Sequence, residues 1–128
     1  MLTILRVLLG SVLALFVYNV QAQSKEEVYI YLLQIGCDEP EIVTKQSVQE
    51  CGHYYESKNA RVRHNLFGLW NHSKQEYYKF DHWKESCDAY LTKVQYKRKE
   101  GEDYYKFLER IGYASDPKYI ENLKGIRL

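Results

Sequence analysis

Apolar positions change their spacing several times along the chain, and each change marks an element. The first is an apolar run from Val7 to Val17, preceded by Arg6 and closed by Val20-Gln21-Ala22. That order is the pattern of a signal peptide cleaved after Ala22. Because Tyr18 and Asn19 interrupt the run, it falls short of the ~20 apolar residues that a membrane-spanning helix needs. From Ser24 the period becomes helical. Ser24-Lys25-Glu26-Glu27 reads as a capping box, and Val28, Tyr31 and Leu32 recur at helical spacing until Gly36 stops them. Pro40 then suits a first helical turn, and Ile42, Val43, Val48 and Cys51 continue an apolar stripe up to Gly52. Glu50 lies in the final turn of this second helix.

The next period is two rather than four. Residues 65–70 look extended, Asn71-His72-Ser73-Lys74 is a polar turn, and residues 76–80 are again rich in aromatics, which predicts a β-hairpin. Alternation puts Glu76, Tyr78 and Phe80 on one face of the second strand and Tyr77 and Lys79 on the other. Asp81 is placed to cap a third helix reaching about Tyr96. A charged link, residues 97–103, leads to a fourth helix from Tyr104 to Ile111, stopped by Gly112. Asp116-Pro117 opens a fifth that ends near Gly125. The expected architecture is α+β: one small, mostly helical domain over residues 23–128, with one short hairpin and no internal repeat.

Charge and cysteine content narrow the partners. Arg6 is the one charged residue in 1–22, so the remainder carries 17 basic and 17 acidic residues. That balance offers a nucleic acid no electrostatic support. Cys37, Cys51 and Cys87 are an odd number in an exported chain, so at most one disulfide forms within the molecule. Their spacing matches no zinc pattern, and His53, His64, His72 and His82 lack the i, i+4 spacing of a zincin helix, so no metal or cofactor is expected. Of 13 tyrosines, 12 follow Ala22, beside Trp70 and Trp83. Sugar-gripping proteins use such rings, whose faces cover the apolar side of a pyranose while the hydroxyl hydrogen-bonds. A half-wet small core uses tyrosines too, and composition does not separate the two.

Glu50 is the residue that stands out chemically. It lies on the apolar side of its helix and near the negative end of the helix dipole, and both circumstances disfavour ionisation. A carboxylic acid still protonated near neutral pH can donate to a leaving glycosidic oxygen. The same spacing also fits a surface glutamate at a frayed helix end.

Four segments in order carry a resemblance: Gln46-Ser47-Val48-Gln49-Glu50-Cys51-Gly52, His64-Asn65-Leu66-Phe67-Gly68-Leu69-Trp70, Phe80-Asp81-His82-Trp83-Lys84-Glu85-Ser86 and Ile111 to Tyr119. Together they resemble the bacterial glucosaminidases of glycoside hydrolase family 73, endo-β-N-acetylglucosaminidases that cut peptidoglycan on a lysozyme-like fold. The resemblance implies that Glu50 is the general acid, in a context where the family has Thr or Ser and this chain has Cys51. It implies that Asn65, Phe67 and Gly68 belong to a cleft-lining strand and that Tyr119 supports catalysis. Glu76 on the hairpin is the candidate second carboxylate. The other route is substrate-assisted, with the 2-acetamido oxygen as nucleophile. Trp70, Tyr78 and Tyr113 are candidate glycan-binding rings, whereas Trp83 reads as core. The expected product is a secreted or periplasmic monomer, free of the membrane after cleavage, acting on peptidoglycan strands. The rivals are a lytic transglycosylase or muramidase, and a wall-binding protein without turnover.

Overall fold

Ser24 does cap the first helix: its hydroxyl accepts the Glu27 amide at 3.2 Å, and helix α1 (Lys25–Gln34) follows. The computed structural model describes residues 23–128, so the expected leader lies outside the described residues. Val28 and Leu32, one turn apart on α1, are fully buried. Helix α2 (Pro40–Cys51) starts on its proline and stops at Gly52, as the punctuation predicts. Its buried face is more polar than the aliphatic stripe suggested, because Thr44, Gln46 and Ser47 are buried beside Val43, Val48 and Cys51. A short helix α3 (Lys58–Arg61), capped by the Ser57 hydroxyl, was not anticipated. Four residues are too few to display a period.

The hairpin is present but shorter than predicted. Strands β1 (Trp70–Asn71) and β2 (Glu76–Tyr77) pair antiparallel, Trp70 opposite Tyr77 and Asn71 opposite Glu76. Residues 65–69, expected to be extended, instead make a turn around the buried Asn65 side chain. Its Oδ1 accepts the Leu69 amide at 2.9 Å, and its Nδ2 donates to the carbonyls of Leu69 at 2.9 Å and Tyr78 at 3.0 Å. A side chain thus supplies partners that a longer ladder would otherwise give.

Helix α4 (Trp83–Lys93) is capped by His82, whose Nδ1 accepts the Lys84 amide at 3.1 Å, rather than by Asp81. It ends short of Tyr96 because a 3₁₀ turn (Gln95–Lys97) is tied to the chain after α1. Gln95 Oε1 accepts the Asp38 amide at 2.9 Å, and Arg98 pairs with Asp38 at 3.2 Å. Helices α5 (Tyr104–Arg110), capped by Asp103, and α6 (Tyr119–Lys124) complete a small α+β domain. The predicted fifth helix begins later than Asp116-Pro117, since Asp116 is spent on a turn that accepts the Lys118 amide at 2.9 Å. Helix α2 is central, packing on both α1 and α6. Around it lie Phe67, Tyr90, Tyr104 and Phe107, with Trp83 buried as expected against the edge of Tyr31.

All three cysteines are free and buried. Burial pushes the Cys51 thiol up to about 11 and Cys37 up to about 12, and raises Cys87 further. Since the thiolate is the reactive species, a disulfide reagent at pH 8 is expected to label the native protein slowly and to titrate three thiols only after denaturation. Rapid labelling of the native protein would show that these side chains are not in the core.

Candidate active site

Glu50 reaches its position because α2 carries it to the last turn before Gly52, on the edge between the buried face and solvent. Its carboxyl opens into a groove of about 840 Å³. One wall is the turn after Asn65. Gly68 comes so close that a Cβ there would sit 2.8 Å from Glu50 Oε2, and its φ of +60° is one that L side chains rarely adopt. Trp70, Tyr77 and Tyr78 continue this wall along the hairpin, the Trp70 and Tyr77 rings meeting edge to face at 5.0 Å. The far wall is the end of α4 with the 3₁₀ turn, bringing Lys93, Tyr96 and Lys97, and the floor is residues 111–116. Lys93 is held with its ammonium 4.5 Å from the Tyr78 ring centre.

Burial raises the pKa of Glu50, and a hydrogen bond from the Tyr119 phenol partly offsets this. Desolvation disfavours the charged form, whereas a donor aimed at the carboxylate favours it. Tyr119 is itself buried, 7% exposed, and lies behind Glu50 rather than on the groove wall. Its backbone oxygen accepts Gln49 Nε2 at 3.1 Å, and its hydroxyl accepts Gln46 Nε2 at 3.3 Å. Tyr113 donates to the Phe67 carbonyl at 2.8 Å, fixing the floor to the first wall. Cys51, the departure in the Glu50 motif, donates to the carbonyls of Leu66 at 3.4 Å and Asn65 at 3.6 Å. The thiol therefore anchors the turn that faces Glu50, though more weakly than a hydroxyl would.

The structure gathers Glu50, Phe67, Gly68, Trp70, Tyr78 and Tyr113 on one groove. Phe67 contributes through its backbone face, since its ring is buried against Tyr90 at 4.8 Å. Besides Tyr119, which lies behind Glu50, two residues are placed otherwise. Asn65 is fully buried with its amide committed to backbone partners, so its part is to hold the wall rather than touch a ligand. Glu76 faces a second concavity, with Arg63, Lys74 and Lys79, and is absent from the walls around Glu50. The other carboxylate on the groove is Asp116. Tyr96 and Lys97 had no local signal, and Asp116 read only as a helix opener, because only the closure of distant segments puts them on the groove. Gln46, one helical turn before Glu50, was open to detection by its i, i+4 spacing.

A half-buried carboxyl with a phenol behind it thus stands in a groove walled by aromatic rings. Residues 28–127 match the Glucosaminidase family, described as mannosyl-glycoprotein endo-β-N-acetylglucosaminidase. The chain belongs to that family, and at this level it is a glycoside hydrolase of the peptidoglycan-directed kind. Searches of curated proteins and of solved structures gave no match.

Proposed function

We propose that the protein is a secreted or periplasmic endo-β-N-acetylglucosaminidase that hydrolyses the β-1,4 bond after N-acetylglucosamine in peptidoglycan, as a monomer released by its leader. The observation that carries the reading is the half-buried Glu50 carboxyl, set against Gly68 in a groove walled by Trp70, Tyr77 and Tyr78, where burial raises its pKa. The protonated carboxyl gives its proton to the leaving oxygen as the C–O bond breaks. Glu76 is not on the groove, which favours the substrate-assisted route: the 2-acetamido oxygen closes on the anomeric carbon, forming an oxazolinium ion. Water then opens that ring, with the Glu50 carboxylate accepting its proton. Trp70 and Tyr78 cover sugar faces, and Tyr119 acts through Glu50.

Turnover in this scheme needs Glu50 protonated, so it is present below the raised Glu50 pKa and is lost as the pH rises through it. Digestion of purified wall is expected to release new reducing-end N-acetylglucosamine with a falling alkaline limb. The appearance of 1,6-anhydromuramic ends would establish a lytic transglycosylase instead. Asp116→Asn is expected to retain turnover within about ten-fold; abolition of turnover by that change would replace the acetamido nucleophile with a Glu50–Asp116 pair of the inverting type.

A further inference from the structure

A line of buried polar groups runs from the core to the back of Glu50. The Tyr104 and Tyr90 hydroxyls lie 2.8 Å apart, Tyr90 donates to Gln46 Oε1 at 2.5 Å, and Gln46 Nε2 donates to the Tyr119 hydroxyl at 3.3 Å. Gln46 and Tyr90 are fully buried and Tyr104 nearly so. Burying an amide and three phenols side by side is unfavourable unless every member is satisfied. Four apolar side chains would have filled this space without that requirement.

We propose that Gln46 is a positioning residue, whose amide, fixed by Tyr90, directs the Tyr119 hydroxyl proton onto Glu50. A phenol has one proton to give. With Gln46 donating to the Tyr119 oxygen, that proton is free for the other neighbour of the hydroxyl, the Glu50 carboxyl one helical turn along from Gln46. Tyr90 holds the amide in this sense because its hydroxyl already occupies the amide oxygen. Burial keeps Tyr90, Tyr104 and Tyr119 above the ordinary tyrosine range, so each stays neutral and the order of donors persists as the pH changes. The proposal rests on the reading of Glu50 as the acid for its catalytic meaning, but its geometry does not.

Carbon NMR of labelled glutamate carboxyls follows the Glu50 titration without any substrate, in the full chain, beside pH profiles of wall digestion. The other titratable groups facing Glu50 are Cys51 behind it and His72, Tyr77, Tyr78, Lys93, Tyr96, Lys97, Tyr113 and Asp116 around the groove. They are common to all variants, so differences report on the Gln46–Tyr119 pair. In Gln46→Met, of similar size but without donors, the Tyr119 proton is no longer directed. Glu50 is then expected to titrate higher than in wild type, the alkaline limb of kcat to move up, and kcat to fall about ten-fold at little change in KM. Tyr119→Phe is expected to shift Glu50 the same way, and adding Gln46→Met to it to shift Glu50 no further. Gln46→Asn, which withdraws the donor while keeping an amide, serves if the methionine variant does not fold. An unmoved Glu50 titration in the folded Gln46 variant, or a shift that persists undiminished beside Tyr119→Phe, overturns the positioning role. A shifted titration in a protein without turnover upholds it and sinks the hydrolase reading alone.

Discussion

Glu50→Gln is expected to lower kcat by about 10²–10⁴-fold, the usual worth of a positioned general acid, and to leave binding to purified wall intact. The side chain keeps its shape and its capacity to accept from Tyr119, but it has no proton of carboxylic acidity to give the leaving oxygen. Stability is the control. Burial raises the Glu50 pKa, so the folded state holds its proton more tightly than the unfolded chain does. Folding is therefore favoured below the ordinary carboxylate range and weakened as the pH rises through the raised value. The amide has no such charge to bury, so the melting temperature of the variant at pH 7 should equal or exceed that of wild type. A large loss of kcat without loss of stability separates a chemical role from a folding role. If wild type and variant both bind wall and neither clears it in a zymogram, the protein is a glycan-binding member of its family.

Gly68→Ala tests the wall opposite the acid. An added Cβ would sit 2.8 Å from Glu50 Oε2 and 3.4 Å from its Cδ. The end of a glutamate side chain moves easily, so the clash is relieved at small energetic cost, and the backbone pays about 1–2 kcal/mol for a left-handed alanine. What is lost is the position of the carboxyl. Displacing a reacting group by about 1 Å costs on the order of 10²-fold in rate, so kcat should fall by about that factor while denaturation shifts only modestly. Unchanged turnover in Gly68→Ala would mean that the acid does not work from the position it holds against Gly68.

Helices were legible mainly where local chemistry marks their ends, although Asp116 is used in a turn and the last helix starts only at Tyr119. Ser24, Pro40, Gly36, Gly52 and Gly112 act on neighbours within one turn, and the elements they bound agree with the expectation. Where a boundary depends on a distant segment, the expectation failed. Helix α4 stops early because Gln95 and Arg98 are drawn to Asp38, some sixty residues back along the chain. The hairpin is short because Asn65 stands between the Leu69 amide and the Tyr78 carbonyl, which would otherwise pair, leaving only the Tyr78 amide to reach the Leu69 carbonyl. Period-two alternation was equally blind to the cleft, since it assigned Glu76 and Tyr78 to one face without saying which concavity each would meet.

The order of residues alone settled that a carboxylic acid would stand at the end of the second helix, before a glycine, with an aromatic-rich segment to follow. Spacing and capping are local, and they survive without knowledge of the rest. Folding decided that this acid would be half buried, that Gly68 would press against it, that Tyr119 would reach it from behind and that Glu76 would not reach it at all. Those facts depend on where α2, α6 and the hairpin come to rest against one another, and desolvation and hydrogen bonding are properties of that assembly rather than of any one segment.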